Sequence, residues 1–194
     1  SLIKSRGLRR GLITASEQMT TVTDYSDRAT CVLFGDAASA AVVTTDEPSH
    51  RIIHTELGAT PEACDDVVIG GLKDVLNDRR DKLWFRQEGR KVFKFALDKT
   101  RELYESVPPK AGLRPEDVKY VIPHQANGRI IEGGAAAIHH KAEFISVIDR
   151  YGNTSAASIG LALHDSWDRF KPGDIIMLLG FGGGMSWGAT LLEW

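Results

Sequence analysis

The chain has 194 residues, a formal net charge of −2, 42% hydrophobic residues and 26% charged residues, the balance of a soluble globular protein with room for one large domain or two small ones. No net field draws in nucleic acid or an anionic membrane, no apolar run approaches the ~18–20 residues needed to span a bilayer, and the start carries no signal-peptide pattern. Two cysteines, Cys31 and Cys64, do not make a disulfide framework, so a reducing cytoplasm is the default compartment.

The opening SLIKSRGLRRGLI reads as the end of an amphipathic helix feeding a strand. A chain that begins inside an element is expected to be a piece of a longer one. Strands are expected at 11–15 and 30–34, the second closed by Gly35 and Asp36. The small-residue run AASAA (37–41) then turns into a third apolar segment at 42–45. Residues 46–83 lack a clear period and hold Pro48, Gly58, Pro61, Gly70 and Gly71, a variable connection with a strand near 52–56.

From Val92 the period becomes helical, with Phe93, Ala96, Leu97, Leu103, Tyr104 and Val107 recurring until Pro108 and Pro109. AGLRPEDVKYVIPH links that helix to a strand, and a second helix is expected from Asn127, weakened at Gly133 and Gly134 by roughly 1 kcal/mol each. A strand at 144–148, a helix over 154–170, the turn KPGD and strands at 175–179 and 188–193 complete the chain. The expected division is 1–83 and 84–194. CVLFGDAASAAVV (31–43) and IMLLGFGGGMSWGATLL (176–192) share one plan of apolar strand, glycine, small-residue turn and second strand, the mark of a duplicated α/β unit.

Alternating strands and helices place ligands at the carboxyl ends of strands. Three polar clusters fall there: PHQAN (123–127), RYGNTSAAS (150–158) and GFGGGMSWG (180–188). His124 is either a histidine satisfied in a loop or a group aimed at proton transfer or carbonyl polarisation. Asn153 follows Gly152, where it can cap a helix and also contact a ligand. The GFGGG run is a tight turn or a set of backbone N–H groups forming an oxyanion hole. It is not a P-loop, because no GK[ST] follows.

IPHQANGRII, DRYGNTSAAS, KPGDIIMLLGFGGGMSWGATLLEW and DRATCVLFGDAASAAVV together resemble β-ketoacyl-acyl-carrier-protein synthase III, a condensing enzyme of the thiolase fold, and EGRKVFKFAL also fits. The resemblance implies a layered αβαβα α/β fold, here the end of its first half and its complete second half. It places His124 and Asn153 in a Cys–His–Asn set and gives Gly183 an oxyanion-hole N–H. Arg28, Gly89, Phe93, Ala126, Asn127 and Arg129 match positions along the tunnel for coenzyme A and pantetheine. Gln87, Arg90, Gly128 and Met185 depart from the family pattern.

The implied reaction is decarboxylative Claisen condensation between an acyl group taken from acyl-CoA and malonyl-acyl carrier protein. It implies no tightly bound cofactor, no metal, and a homodimer of the complete enzyme. The family's nucleophilic segment would lie just upstream of Ser1. Cys31 is expected to be an inert thiol buried in a strand, and Cys64 sits beside two acids that disfavour thiolate. The chain alone is therefore expected to need the N-terminal half of the enzyme. A non-catalytic partner subunit and a specialised acyltransferase of secondary metabolism remain open. Arg86, Arg90, Lys91 and Lys94 read either as a solvated helix face or as a docking face for an acidic carrier protein.

Overall fold

The computed structural model describes residues 2–46, 49–79 and 83–194; Pro48, one of the turn signals above, lies outside the described residues. In chain order the elements are α1 (Leu2–Ser5), β1 (Arg10–Gln18), β2 (Asp36–Thr44), β3 (Arg51–Ala59), β4 (Val67–Val68), α2 (Leu72–Leu76), β5 (Arg86–Gln87), α3 (Gly89–Lys110), β6 (Val118–Pro123), α4 (Gly128–Ala137), β7 (Glu143–Phe144), α5 (Ile148–Tyr151), α6 (Ala157–Asp165), β8 (Ile175–Gly182) and β9 (Ser186–Glu193).

One five-stranded sheet runs in the order β3-β9-β8-β6-β7. Its centre is parallel, β6 against both β7 and β8, while β9 runs antiparallel between β8 and β3. β6 is VKYVIP, buried at every position except Lys119, which is how a strand covered on both faces reads in sequence. Its side chains alternate. Val121 joins Leu103, Tyr104 and Val107 of α3 on one face, and Tyr120 and Ile122 join Ala162 of α6 and Phe170 on the other. Each of these large apolar side chains contributes about 1.5–3 kcal/mol on burial.

β1 and β2 form a separate antiparallel pair, and α6 packs between this ribbon and the five-stranded sheet. The order α3/α4, sheet, α6, ribbon gives four successive layers of helix, sheet, helix and sheet, the layered α/β architecture expected from the sequence. β3 lies before the expected 83/84 division and pairs with β9 beyond it. Among the described residues no helix is long and apolar enough to cross a membrane.

Several element boundaries differ from the sequence expectation. Residues 30–33 form turns instead of a strand, and Phe34 makes only an isolated parallel bridge with Asn153, because Asp27 offers nearer partners: its carboxylate accepts from Ala29 N and Thr30 Oγ1, and its carbonyl accepts from Thr30 N and Cys31 N. The expected turn AASAA is part of β2. Its small residues suit close helix packing, since a Cβ on Gly160 of α6 would stand 2.4 Å from Ser39 Oγ. α3 continues through Pro108 and Pro109 to Lys110, and the expected strand 144–148 shrinks to two residues before α5 begins. The expected helix over 154–170 starts only at Ala157, ends at Asp165, and is followed by a short 3₁₀ turn.

Candidate active site

β6 stops at Pro123, and the next residue is held by backbone on both sides: His124 N donates to Leu179 O of β8 at 2.6 Å, and His124 O accepts from Ala126 N at 2.9 Å. Gln125 beside it is fully buried. Its amide donates to Pro123 O and Ile145 O, and its carbonyl oxygen accepts from Val147 N. This buried side chain, with all three contacts satisfied, ties the end of β6 to the segment after β7. The strand end is thus rigid where its imidazole leaves the sheet.

The His124 ring stands with Nδ1 2.8 Å from Ser158 Oγ on α6. Burial without an acidic partner lowers its pKa from 6.5 to about 4. One edge of the ring still opens onto a cavity, yet the surrounding protein keeps the imidazole neutral at physiological pH.

Asn153 arrives from the other side. Gly152 has φ of 66°, a conformation that favours glycine; it turns the chain so that Asn153 lies alongside the turns at 30–35. Asn153 N donates to Leu33 O at 2.8 Å and Gly35 N donates to Asn153 O at 3.0 Å. Its side-chain Oδ1 accepts from Ser155 N at 2.9 Å. With the oxygen committed to backbone, the amide NH₂ is the group left to donate elsewhere. Ser155 itself sits at φ 50°, an uncommon conformation for a residue with a side chain.

Gly183 opens the turn between β8 and β9. Ser186 Oγ donates to Gly183 O at 3.0 Å, and a Cβ at Gly183 would approach Val67 O of β4 to 3.2 Å. The following Gly184 has φ of 117°, so this turn is closed to most side chains.

His124, Ala126, Asn153 and Gly183 all line one cavity of about 870 Å³. Its walls are strongly aromatic: Phe34 meets Phe85 edge-on at 4.6 Å, and Phe95 meets Phe181 at 6.2 Å. The other expected tunnel residues are not among its lining. Asn127 caps α4, its side chain accepting from Arg129 N at 2.9 Å. Arg28, Gly89 and Arg129 are exposed, and Phe93 is 37% exposed on α3.

Phe34, Ser155, Phe85 and Glu17 line the cavity without having been singled out from the sequence. The signal existed only for Ser155, inside the RYGNTSAAS cluster. Cys31 is partly exposed in the turns instead of buried in a strand, Cys64 is exposed, and among the described residues neither lines the cavity. Among the described residues no group of three or more His, Cys, Asp or Glu side chains is arranged to hold a metal ion.

Comparison with known proteins agrees with the layered fold. Residues 109–194 match the family described as 3-oxoacyl-[acyl-carrier-protein (ACP)] synthase III C terminal, and residues 1–61 match 3-oxoacyl-[acyl-carrier-protein (ACP)] synthase III. The β-ketoacyl-[acyl-carrier-protein] synthase III of Aquifex aeolicus is 41% identical over 197 residues, covering 100% of this chain and 60% of that protein. The crystal structure of the Thermus thermophilus β-ketoacyl-[acyl carrier protein] synthase III superposes with a TM-score of 0.89 at 35% identity, over 100% of this chain and 61% of that one. The priming β-ketosynthase of the R1128 polyketide biosynthetic pathway does so with a TM-score of 0.86 at 29% identity, over 99% and 59%. The chain thus spans about 60% of the length of the curated relatives it matches. With the two family matches lying on either side of one layered fold, the chain belongs to the 3-oxoacyl-[acyl-carrier-protein] synthase III family.

Proposed function

We propose that this chain supplies the histidine, the asparagine and the oxyanion-hole backbone for a decarboxylative Claisen condensation, with the nucleophilic cysteine coming from an N-terminal segment of the same enzyme or from a separate chain. The observation that carries this reading is the convergence of two neutral donors on one aromatic cavity: an uncharged imidazole, and an amide whose oxygen is already committed to backbone.

In the proposed reaction an acyl group passes from acyl-CoA to a cysteine sulfur, releasing coenzyme A. Malonyl-acyl carrier protein then loses carbon dioxide, and the electrons of the broken C–C bond form a thioester enolate. His124 and Asn153 hydrogen-bond that enolate oxygen as its charge develops, an interaction worth several kcal/mol when the donors are held in place. The enolate carbon attacks the acyl carbonyl, whose oxygen takes up charge beside the Gly183 N–H, and the C–S bond to cysteine breaks. Arg28, Gly89, Phe93, Ala126, Asn127 and Arg129 would line the approach for the coenzyme A or carrier arm. The setting is cytoplasmic, the reaction starts fatty-acid or polyketide synthesis, and the complete enzyme is a homodimer.

A second reading changes the acceptor: a specialised acyltransferase of secondary metabolism. It is favoured by the departures Gln87 and Met185, both of which line the cavity and so would touch the acyl group or its acceptor. Intact mass after incubation with acyl-CoA tests the common part. An acyl adduct on a cysteine of a supplied N-terminal segment supports condensing chemistry, and the absence of an adduct on any component would undercut it. Carbon dioxide release from a malonyl thioester then separates condensation from acyl transfer to another acceptor.

A further inference from the structure

Ser158 closes the RYGNTSAAS cluster and lies on α6, where no local pattern assigns it a role of its own, yet its hydroxyl makes two contacts that fix where protons sit. Gln125 N donates to Ser158 Oγ at 3.2 Å, and His124 Nδ1 lies 2.8 Å from the same oxygen. A backbone N–H can only donate, so Gln125 occupies one lone pair of the hydroxyl. The contact with His124 then has two forms. If Nδ1–H donates to Ser158, the serine's own proton needs another acceptor. Ser158 is 1% exposed, and among the described residues its hydroxyl has no other partner. A buried hydroxyl proton without an acceptor carries its full desolvation penalty. If Ser158 instead donates to a bare Nδ1, the backbone N–H, the hydroxyl and the ring nitrogen are all satisfied at once.

We infer that Ser158 is a positioning residue that holds His124 in the Nε2–H tautomer, turning the ring's one proton away from α6 and toward the cavity. The inference rests on the proposed function for its consequence, not for its geometry: an Nε2–H can donate to a thioester oxygen, whereas an Nε2 lone pair would repel the charge that develops there. Ser158 acts through the imidazole and touches no substrate. Its donor role depends in turn on Gln125, whose buried side chain fixes the backbone N–H that occupies the competing lone pair.

The test is a long-range proton–nitrogen correlation spectrum of the 194-residue chain labelled with ¹⁵N-histidine near neutral pH, with the His124 signals identified by their loss in His124→Gln. The expected wild-type ring has a fully pyrrole-type Nε2 and a fully pyridine-type Nδ1. In Ser158→Ala both resonances move from those limits toward the exchange average. A wild-type ring protonated on Nδ1 overturns the inference, as does a Ser158→Ala ring that keeps the wild-type limits. Should Ser158→Ala not fold, the wild-type pattern alone decides. Failure of the proposed function is separately visible: an Nε2–H ring in an enzyme that does not decarboxylate malonyl thioesters removes that function and leaves the tautomer assignment standing.

Discussion

At His124 an imidazole is enclosed by protein with no carboxylate to compensate it, and that has a consequence for stability. Its pKa lies near 4 when folded, against 6.5 for the free side chain. Between those values the unfolded chain binds a proton that the folded chain does not, so stability is fully present above pH 6.5 and is lost as pH falls toward 4. Allowing for the ring edge that opens to the cavity, the loss between pH 7 and pH 5 is ~1–2 kcal/mol. The aspartates with lowered pKa, Asp24, Asp36 and Asp117, depart downward from 3.8 and so act below this window. Urea unfolding at the two pH values is expected to show a smaller loss for His124→Gln than for the parent; an equal loss would contradict the burial argument. At Tyr104 burial first, then Glu105 and Glu116, push the phenol to about 12, and its hydroxyl donates to Pro115 O at 2.9 Å. Tyr104→Phe is expected to cost about 1 kcal/mol in the same assay. His124 was legible in the sequence as a polar residue at a strand end, and Asn153 as a member of a polar cluster, although the short helix α5 precedes it instead of a strand. Ser158 was not, because its role comes from a contact 34 positions away in the chain, which no local pattern encodes.

Among the elements, α3 and β6 read clearly because each buries one coherent pattern, a helical stripe in α3 and a continuous apolar run in β6. The region from Asp27 to Thr44 read poorly for two opposite reasons. An aspartate pulls 30–33 into turns, and a run of small residues that looks like a turn is a strand because α6 lies close against it. That closeness is testable. Gly160→Ala would place a Cβ 2.4 Å from Ser39 Oγ and 2.7 Å from Ser39 Cβ, and is expected to destabilise the fold by about 1–3 kcal/mol. Adding Ser39→Gly should recover part of that loss. Additive effects of the two substitutions in a double-mutant cycle would show that α6 and β2 do not press on one another.

For the whole molecule, the β1–β2 ribbon is the exposed layer. Leu12 and Val42 stand directly opposite each other across it and are 69% and 68% exposed, on the face opposite Ser39. A two-stranded ribbon with apolar residues in water invites association. Sedimentation is expected to show concentration-dependent self-association, reduced by the paired change Leu12→Lys with Val42→Glu. A parent chain that stays monomeric at all concentrations would contradict this. The cavity's proposed role rests on the neutral His124 imidazole and the Asn153 amide that both line it. Its most direct test is the rate of carbon dioxide release from a malonyl thioester, measured beside acyl transfer from acyl-CoA in the enzyme complete with its cysteine segment. His124→Ala and Asn153→Ala are each expected to lower decarboxylation by at least about 10²-fold while acyl transfer falls far less. Equal losses in the two half-reactions, or unchanged decarboxylation, would contradict it.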